Sequence, residues 1–244
     1  MKKGWMIILL CSMGWSGLAS TATYEVVEFS AADGTVIFGE LYRAAEKKAP
    51  VLLLFHQARS NRGEYRTIAP KLVEHGYSAL AIDQRSGGEM WHLSNKTVAM
   101  RGASTPYLDA LPDLEAALRW THEQLSAKRT IVCGSSYSAA LLFLLTARHR
   151  DEIDGLIAFS PGEYLEKEGL VAREAAKLKL PILVLTPPGE RSRAVTIFNA
   201  IKDPRKRLVT PKYAVHGASM LIRERSPKAD LIWKDLLEFL AQFN

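Results

Sequence analysis

The sequence predicts an α/β protein with one mostly parallel central sheet and helices on both of its faces. Three observations predict it. From residue 24 onward, short apolar or β-branched runs alternate with longer segments of helical periodicity, as in parallel strands joined by helical crossovers. Runs such as 50–56 (PVLLLFH) and 181–186 (PILVLT) are apolar throughout, which suits strands covered on both faces. A length of 244 residues, 48% hydrophobic and 24% charged, fits a single globular domain with a sizeable core. No internal repeat, low-complexity tract or linker divides it.

The elements follow in order. Residues 24–30 and 36–43 flank Asp33-Gly34, a hairpin signal at the entry to the sheet. The strand at 50–56 precedes a helix over 64–75 that Gly76 ends, a strand over 77–83 and a helix over 107–125. Residues 130–134 form a strand that leads into an almost wholly apolar helix reaching about 150. Strands at 156–160 and 181–186, a helix at 190–202 and a less apolar strand over 207–215, near the sheet edge, come next. The last helix, about 227–243, carries Leu231, Ile232, Leu236, Leu237, Phe239 and Leu240 at helical spacing. Residues 84–106 form the one long irregular segment. Connections of that length are commonly functional, and Met90, Trp91, His92 and Met100 are candidate pocket lining there, with His56 at the end of its strand.

The first residues read separately. Lys2 and Lys3, the short apolar run 5–11 and the small residues Gly17, Ala19, Ser20 and Ala22 have the layout of a secretory signal peptide. The run is short for a bilayer span, and cleavage after Ala22 is favoured over Ala19. The expectation is a signal peptide over 1–22 and a mature domain over 23–244, exported to the periplasm or secreted, without stable membrane insertion. Removing Lys2 and Lys3 lowers the net charge from +6 to +4, and Cys133 is left as the one cysteine, so no internal disulfide forms. The tight basic cluster Lys202, Arg205, Lys206 and Arg207 reads as a solvated loop, which argues against a nucleic-acid partner.

The most informative stretch is TIVCGSSYSAALLFLL, residues 130–145. A strand ends in Gly134-Ser135-Ser136-Tyr137-Ser138 and becomes a helix. That is the layout of a nucleophile elbow, with small residues two positions either side of Ser136. Such a turn can also serve only as a helix cap, so the partners decide. A serine hydroxyl needs a base, and the base needs an orienting group. His216, on a loop after the last strand, has the required order and setting. The first carboxylate beyond the strand at 181–186 is Glu190 in Pro187-Pro188-Gly189-Glu190, with Asp203 in reserve. Glu190 could instead offset the dipole of the helix it begins, or pair with Arg191 or Arg193. The backbone N–H groups of Gln57 and Tyr137 are the expected oxyanion donors.

With these residues in hand, the chain resembles the α/β-hydrolase superfamily across essentially 24–243, most closely its small dienelactone-hydrolase-like and carboxylesterase-like members. The segments that carry the resemblance are HQARSNRGEY after the third strand, AIDQRSGG after the fourth, CGSSYSA at the elbow and VHGA near the end. The resemblance implies an α/β-hydrolase fold and structural roles for Asp83 and Arg85. Three departures stand out: a serine where dienelactone hydrolases proper use cysteine, Ser138 in place of the second glycine, and TPPGER where relatives commonly show G-x-x-D.

The expected function is that of a serine hydrolase without a large cap, cleaving a small-molecule carboxylic ester through an acyl-enzyme on Ser136. A non-catalytic exported binding protein on the same scaffold, or a serine peptidase or acyltransferase, are the alternatives. No cofactor or metal is expected, since no His/Asp/Glu cluster has ligand spacing. The sequence leaves the oligomeric state open.

Overall fold

Eight strands form one sheet in the order β1-β2-β4-β3-β5-β6-β7-β8 in a computed structural model that describes residues 23–244. The expected segment 1–22 lies outside the described residues. Strand β2 (Val36–Tyr42) pairs antiparallel with β1 (Glu25–Ser30) and with β4 (Ser78–Ile82), so it alone runs against the rest. Strands β3 (Val51–Phe55), β5 (Thr130–Ser135), β6 (Gly155–Phe159), β7 (Ile182–Leu185) and β8 (Lys206–Val209) continue the parallel portion.

The period of two along each strand sorts side chains into two cores. On one face, Val51, Leu53, Phe55, Val132 and Val184 pack beneath α3 (Leu111–Gln124), α4 (Tyr137–Arg148), α5 (Leu170–Ala175) and α6 (Arg191–Ala200). On the other, Leu52, Leu54, Ile131, Cys133 and Leu183 meet α1 (Ala69–Glu74) and α7 (Ala229–Leu240). Helices cover both faces, which is why β3, β5, β6 and β7 are buried at every position. Helix α4 is buried from Tyr137 to Thr146 and explains the apolar run after the elbow. Cys133 is buried with a thiol that burial pushes to a high pKa, so it is a packing residue.

Three expectations need correction. The helix expected over 64–75 is a 3-10 turn, Arg62–Tyr65, followed by α1, with Pro70 in the first turn of the α-helix. The strand expected over 207–215 stops at Val209; Pro211 lacks the N–H that a longer strand would use. The irregular segment 84–106 contains a short helix, α2 (Lys96–Arg101), whose N-cap Asn95 accepts from the Val98 N–H at 2.8 Å. That asparagine and Gly102 at the other end were the available sequence signals.

Candidate active site

The register brings the carboxyl ends of the parallel strands to one edge: Phe55 pairs with Ile82 and Gly134, Ser135 with Phe159, Phe159 with Leu185, and Leu185 with Val209. Loops leaving such an edge build the sites of α/β proteins. Among the described residues, five that are not glycine have positive φ: Arg59, Trp91, His92, Ser136 and Ser160. They follow β3, β4, β5 and β6 in turn, so the backbone strain of this fold is concentrated where those loops emerge.

Ser136 stands at the strand-to-helix turn. At φ 60° and ψ −120° it turns β5 into α4 and stands at the helix N-terminus. The turn is closed by its N–H, which donates to Phe159 O at 2.8 Å. A Cβ at Gly134 would lie 2.8 Å from the Ala139 nitrogen and the Ser138 carbonyl carbon, so only glycine fits there. Position 138 does admit a side chain. The Ser138 hydroxyl donates to His56 O at 2.5 Å and receives the Gln84 amide at 2.8 Å. The missing second glycine is therefore replaced by a hydrogen bond that ties the elbow to the loop after β3.

His216 lies beyond β8, and its Nδ1 meets both carboxylate oxygens of Glu190 at 2.8 and 2.9 Å. A carboxylate only accepts, so this contact places the proton on Nδ1 and leaves Nε2 as a base. Asp203 is engaged elsewhere, in an ion pair with Arg205 at 2.7 Å. Among the described residues, neither Arg191 nor Arg193 forms an ion pair with Glu190. No hydrogen bond there joins Ser136 Oγ to His216, but their chain neighbours touch. The Ala218 N–H donates to Ser135 Oγ at 2.9 Å, and a Cβ at Gly217 would come within 2.4 Å of that oxygen. Gly217 also has φ 70°, so it is required by both space and backbone.

The expected oxyanion donors divide. Tyr137 is the first residue of α4 and its N–H has no intrahelical acceptor. Gln57 is a correction: its N–H is spent on Glu64 Oε2 at 2.8 Å. The Gln57 carbonyl accepts from His56 Nδ1 at 2.8 Å. In a trans peptide the next N–H points the opposite way, and that N–H, on Ala58, has no partner among the described residues. His56 is a second correction. It is fully buried, with Nε2 accepting from the Gln84 N–H at 3.0 Å, and burial lowers its pKa to about 4. It is a neutral strut, not pocket lining. Trp91 donates from Nε1 to Ser60 Oγ at 2.9 Å and stacks under Arg225 at 4.4 Å. His92 is exposed and lines a small cavity of about 330 Å³ with Glu89, Met90, Leu93 and Ser94.

Sequence reasoning missed Glu64, Gln84 and Ser160. Gln84 bridges β4 to Tyr137 and Ser138 on α4, and Ser160 Oγ accepts from the Gly217 N–H at 3.0 Å. The only sequence signal was their place at or just beyond strand ends. Asp83 and Arg85 are structural. Asp83 accepts from the Arg62 and Lys96 N–H groups, and Arg85 joins Asp33 to Asp113. Among the described residues no group of three or more His, Cys, Asp or Glu side chains could hold a metal ion, and no helix is long and apolar enough to cross a membrane.

The fold agrees with comparison to known proteins. The family model described as serine aminopeptidase, S33 matches residues 46–196. The chain belongs to that family and is a hydrolase of the α/β-hydrolase fold, with no large cap evident. No curated protein matches the sequence significantly. Among solved structures it is similar to the Pyrococcus furiosus esterase Pf2001, at 21% identity and TM-score 0.72 over 91% of this chain and 93% of that one. It is also similar to a dienelactone hydrolase from Anabaena variabilis, at 15% identity and TM-score 0.71 over 91% and 99%. Est1E from Butyrivibrio proteoclasticus, solved with ferulic acid bound, gives 16% identity and TM-score 0.69 over 88% and 99%. At these identities the likeness is one of fold.

Proposed function

We propose that the protein is an exported serine hydrolase that cleaves small carboxylic esters through an acyl-enzyme on Ser136. One observation carries this reading: a serine at φ 60°, ψ −120° on a strand-to-helix turn, beside a loop whose histidine is held by Glu190 at 2.8 Å. A serine that served only as a helix cap would not need that strain, and a cap would not need a carboxylate-oriented imidazole next to it.

Ser136 Oγ forms a bond to the acyl carbon as its proton passes to His216 Nε2. The oxyanion that develops is held by the N–H groups of Tyr137 and Ala58, helped by the N-terminus of α4. The carbon–oxygen bond to the alcohol then breaks, and the imidazolium returns the proton to the leaving oxygen. Water repeats the sequence and frees the acid. Glu190 holds Nδ1–H and stabilises the imidazolium throughout. Nucleophile and base tighten into hydrogen-bond contact when an acyl group is bound. The charged start and short apolar run of residues 1–22 support export.

A peptidase is the second reading, favoured by the family description. Hydrolysis of short p-nitrophenyl esters against aminoacyl anilides separates the two: ester turnover without anilide turnover is expected. Labelling by a fluorophosphonate in the wild type but not in Ser136→Ala is the expected signature of catalysis. A folded wild type that neither labels nor hydrolyses would make the protein a binding module on this scaffold.

A further inference from the structure

Glu64 is a buried carboxylate that the acyl-transfer steps leave unused. It sits on the 3-10 turn Arg62–Tyr65 with no exposed surface. Among the described residues it forms no ion pair. Its two oxygens are instead occupied by neutral donors: Oε2 by the Gln57 N–H and Oε1 by the Ser135 hydroxyl, both at 2.8 Å. The Ser135 oxygen in turn accepts the Ala218 N–H at 2.9 Å. One carboxylate thus reaches the loop that presents Ala58, the residue next to Ser136 and, through Ser135, the loop of His216. Burying a carboxylate without a counter-ion is costly, so its presence here calls for a role that a charged acceptor fills.

We propose that Glu64 is a positioning residue for this hydrolase, whose ionised carboxylate locks the oxyanion loop, the elbow and the histidine loop in their reactive register. The proposal rests on the reading of Ser136 as nucleophile. The directions of the hydrogen bonds require an acceptor. A backbone N–H can only donate, and the Ser135 hydroxyl donates to Glu64 while it accepts from Ala218. A proton on Glu64, or the amide of a glutamine, adds a donor where both neighbouring groups already donate.

The same burial makes the device sensitive to pH. Desolvation raises the Glu64 carboxyl to about 7, against the lowering pulls of the Gln57 N–H and the Ser135 and Ser60 hydroxyls. The Arg225 cation acts on it through space and lowers it slightly. The other titratable groups facing it, Tyr65, Cys133 and Tyr137, are buried with pKa values pushed far upward and stay neutral in this range. Gly217, one residue past His216, faces Oε1. The acid limb of the activity is therefore expected to carry the ionisation of Glu64, near pH 7.

The test compares wild type, Glu64→Gln, Glu64→Asp and Ser135→Ala, measuring kcat, KM and fluorophosphonate labelling rate across about pH 5 to 9. Glu64→Gln and Ser135→Ala are expected to lower kcat and labelling rate by about tenfold or more with KM little changed, because the reacting groups lose register. Glu64→Asp keeps the charge and should recover part of the loss. The acid limb of wild type should include an ionisation that Glu64→Gln lacks. A folded Glu64→Gln with wild-type kcat and an unchanged acid limb overturns the proposal. Where Glu64→Gln does not fold, an unchanged kcat in Ser135→Ala overturns it instead. A wild type that neither turns over nor labels removes the nucleophile and this proposal together, whereas a labelled wild type with an indifferent Glu64→Gln removes only the positioning role.

Discussion

Two buried acidic regions of this molecule solve the same physical problem in opposite ways. Around β2 and β4, Glu40 is clasped by Arg62 at 3.0 Å and Arg66 at 2.6 Å, and Arg62 also pairs with Asp83. Burial alone would raise the Glu40 carboxyl, but Arg66, Tyr42 and Arg62 overcome it and hold the group below its ordinary value. At the edge where the parallel strands end, Glu64 is just as buried, yet among the described residues it has only neutral donors and its carboxyl is raised to about 7. Glu40, compensated in this way, stays charged at ordinary pH and serves as a strut. An uncompensated carboxylate sits near its titration point, where its charge can matter to chemistry. Cations were available to the fold in quantity, so the lack of one at Glu64 marks the boundary between scaffold and site.

The comparison can be sharpened by removing one group at a time. The largest expected effect is at the site: Glu190→Gln should lower ester turnover by about 10³ to 10⁴-fold without unfolding the chain, because Nδ1 loses its acceptor. Steady-state kinetics with circular dichroism would check this, and a mild effect would break the assignment of Glu190. On the scaffold side, Arg62→Met leaves Asp83 buried beside no other cationic side chain in ion-pair contact, and should cost about 3 to 5 kcal/mol in urea unfolding. A change below about 1 kcal/mol would put that cluster in the class of weak surface pairs instead.

Glu64 gives a smaller effect with a sign of its own. Its folded pKa of about 7 lies above the ordinary 4.5, so between those values the folded state binds more protons than the unfolded one. Its contribution to stability is therefore present at low pH and is lost as pH rises through about 7. Glu64→Gln removes that loss: its Tm relative to wild type should be higher at about pH 8 than at about pH 5, even as its kcat falls. An equal Tm difference at both would show that Glu64 is not the uncompensated group described. The smallest effect belongs to Asp203→Asn. Its partner Arg205 is largely exposed, so turnover should stay within about twofold and stability within about 1 kcal/mol. A rate loss matching that of Glu190→Gln would restore Asp203 as the acid.

Much of this was legible before any fold was known. The continuous apolar runs at 51–55 and 182–185 gave fully buried strands, because covering both faces of a sheet leaves no position for a polar side chain. The elbow was legible because its conformation restricts which residues can stand at 134 and 138. His216 and Glu190 could be picked by order along the chain, since strands in a parallel sheet deliver their loops to one edge in sequence. The sequence put Glu190 ahead of Asp203, by order and loop position, although both follow the same strand. The turn at Pro187-Pro188, which swings Glu190 onto His216, separates them.

Local sequence could not place the hydrogen bonds at all. Gln57 was the natural donor by position, but a carboxylate seven residues away takes its N–H, and the opening passes to Ala58. His56 looked like pocket lining and is a buried strut. Glu64 resembled any acidic residue of a short polar loop. Strand periodicity and the steric demands of a sharp turn are properties of the chain itself, so the sequence by itself determined the sheet, its two cores and the serine elbow. Which donor meets which acceptor depends on residues brought together from 71 and 83 positions apart, and only the tertiary structure decided that.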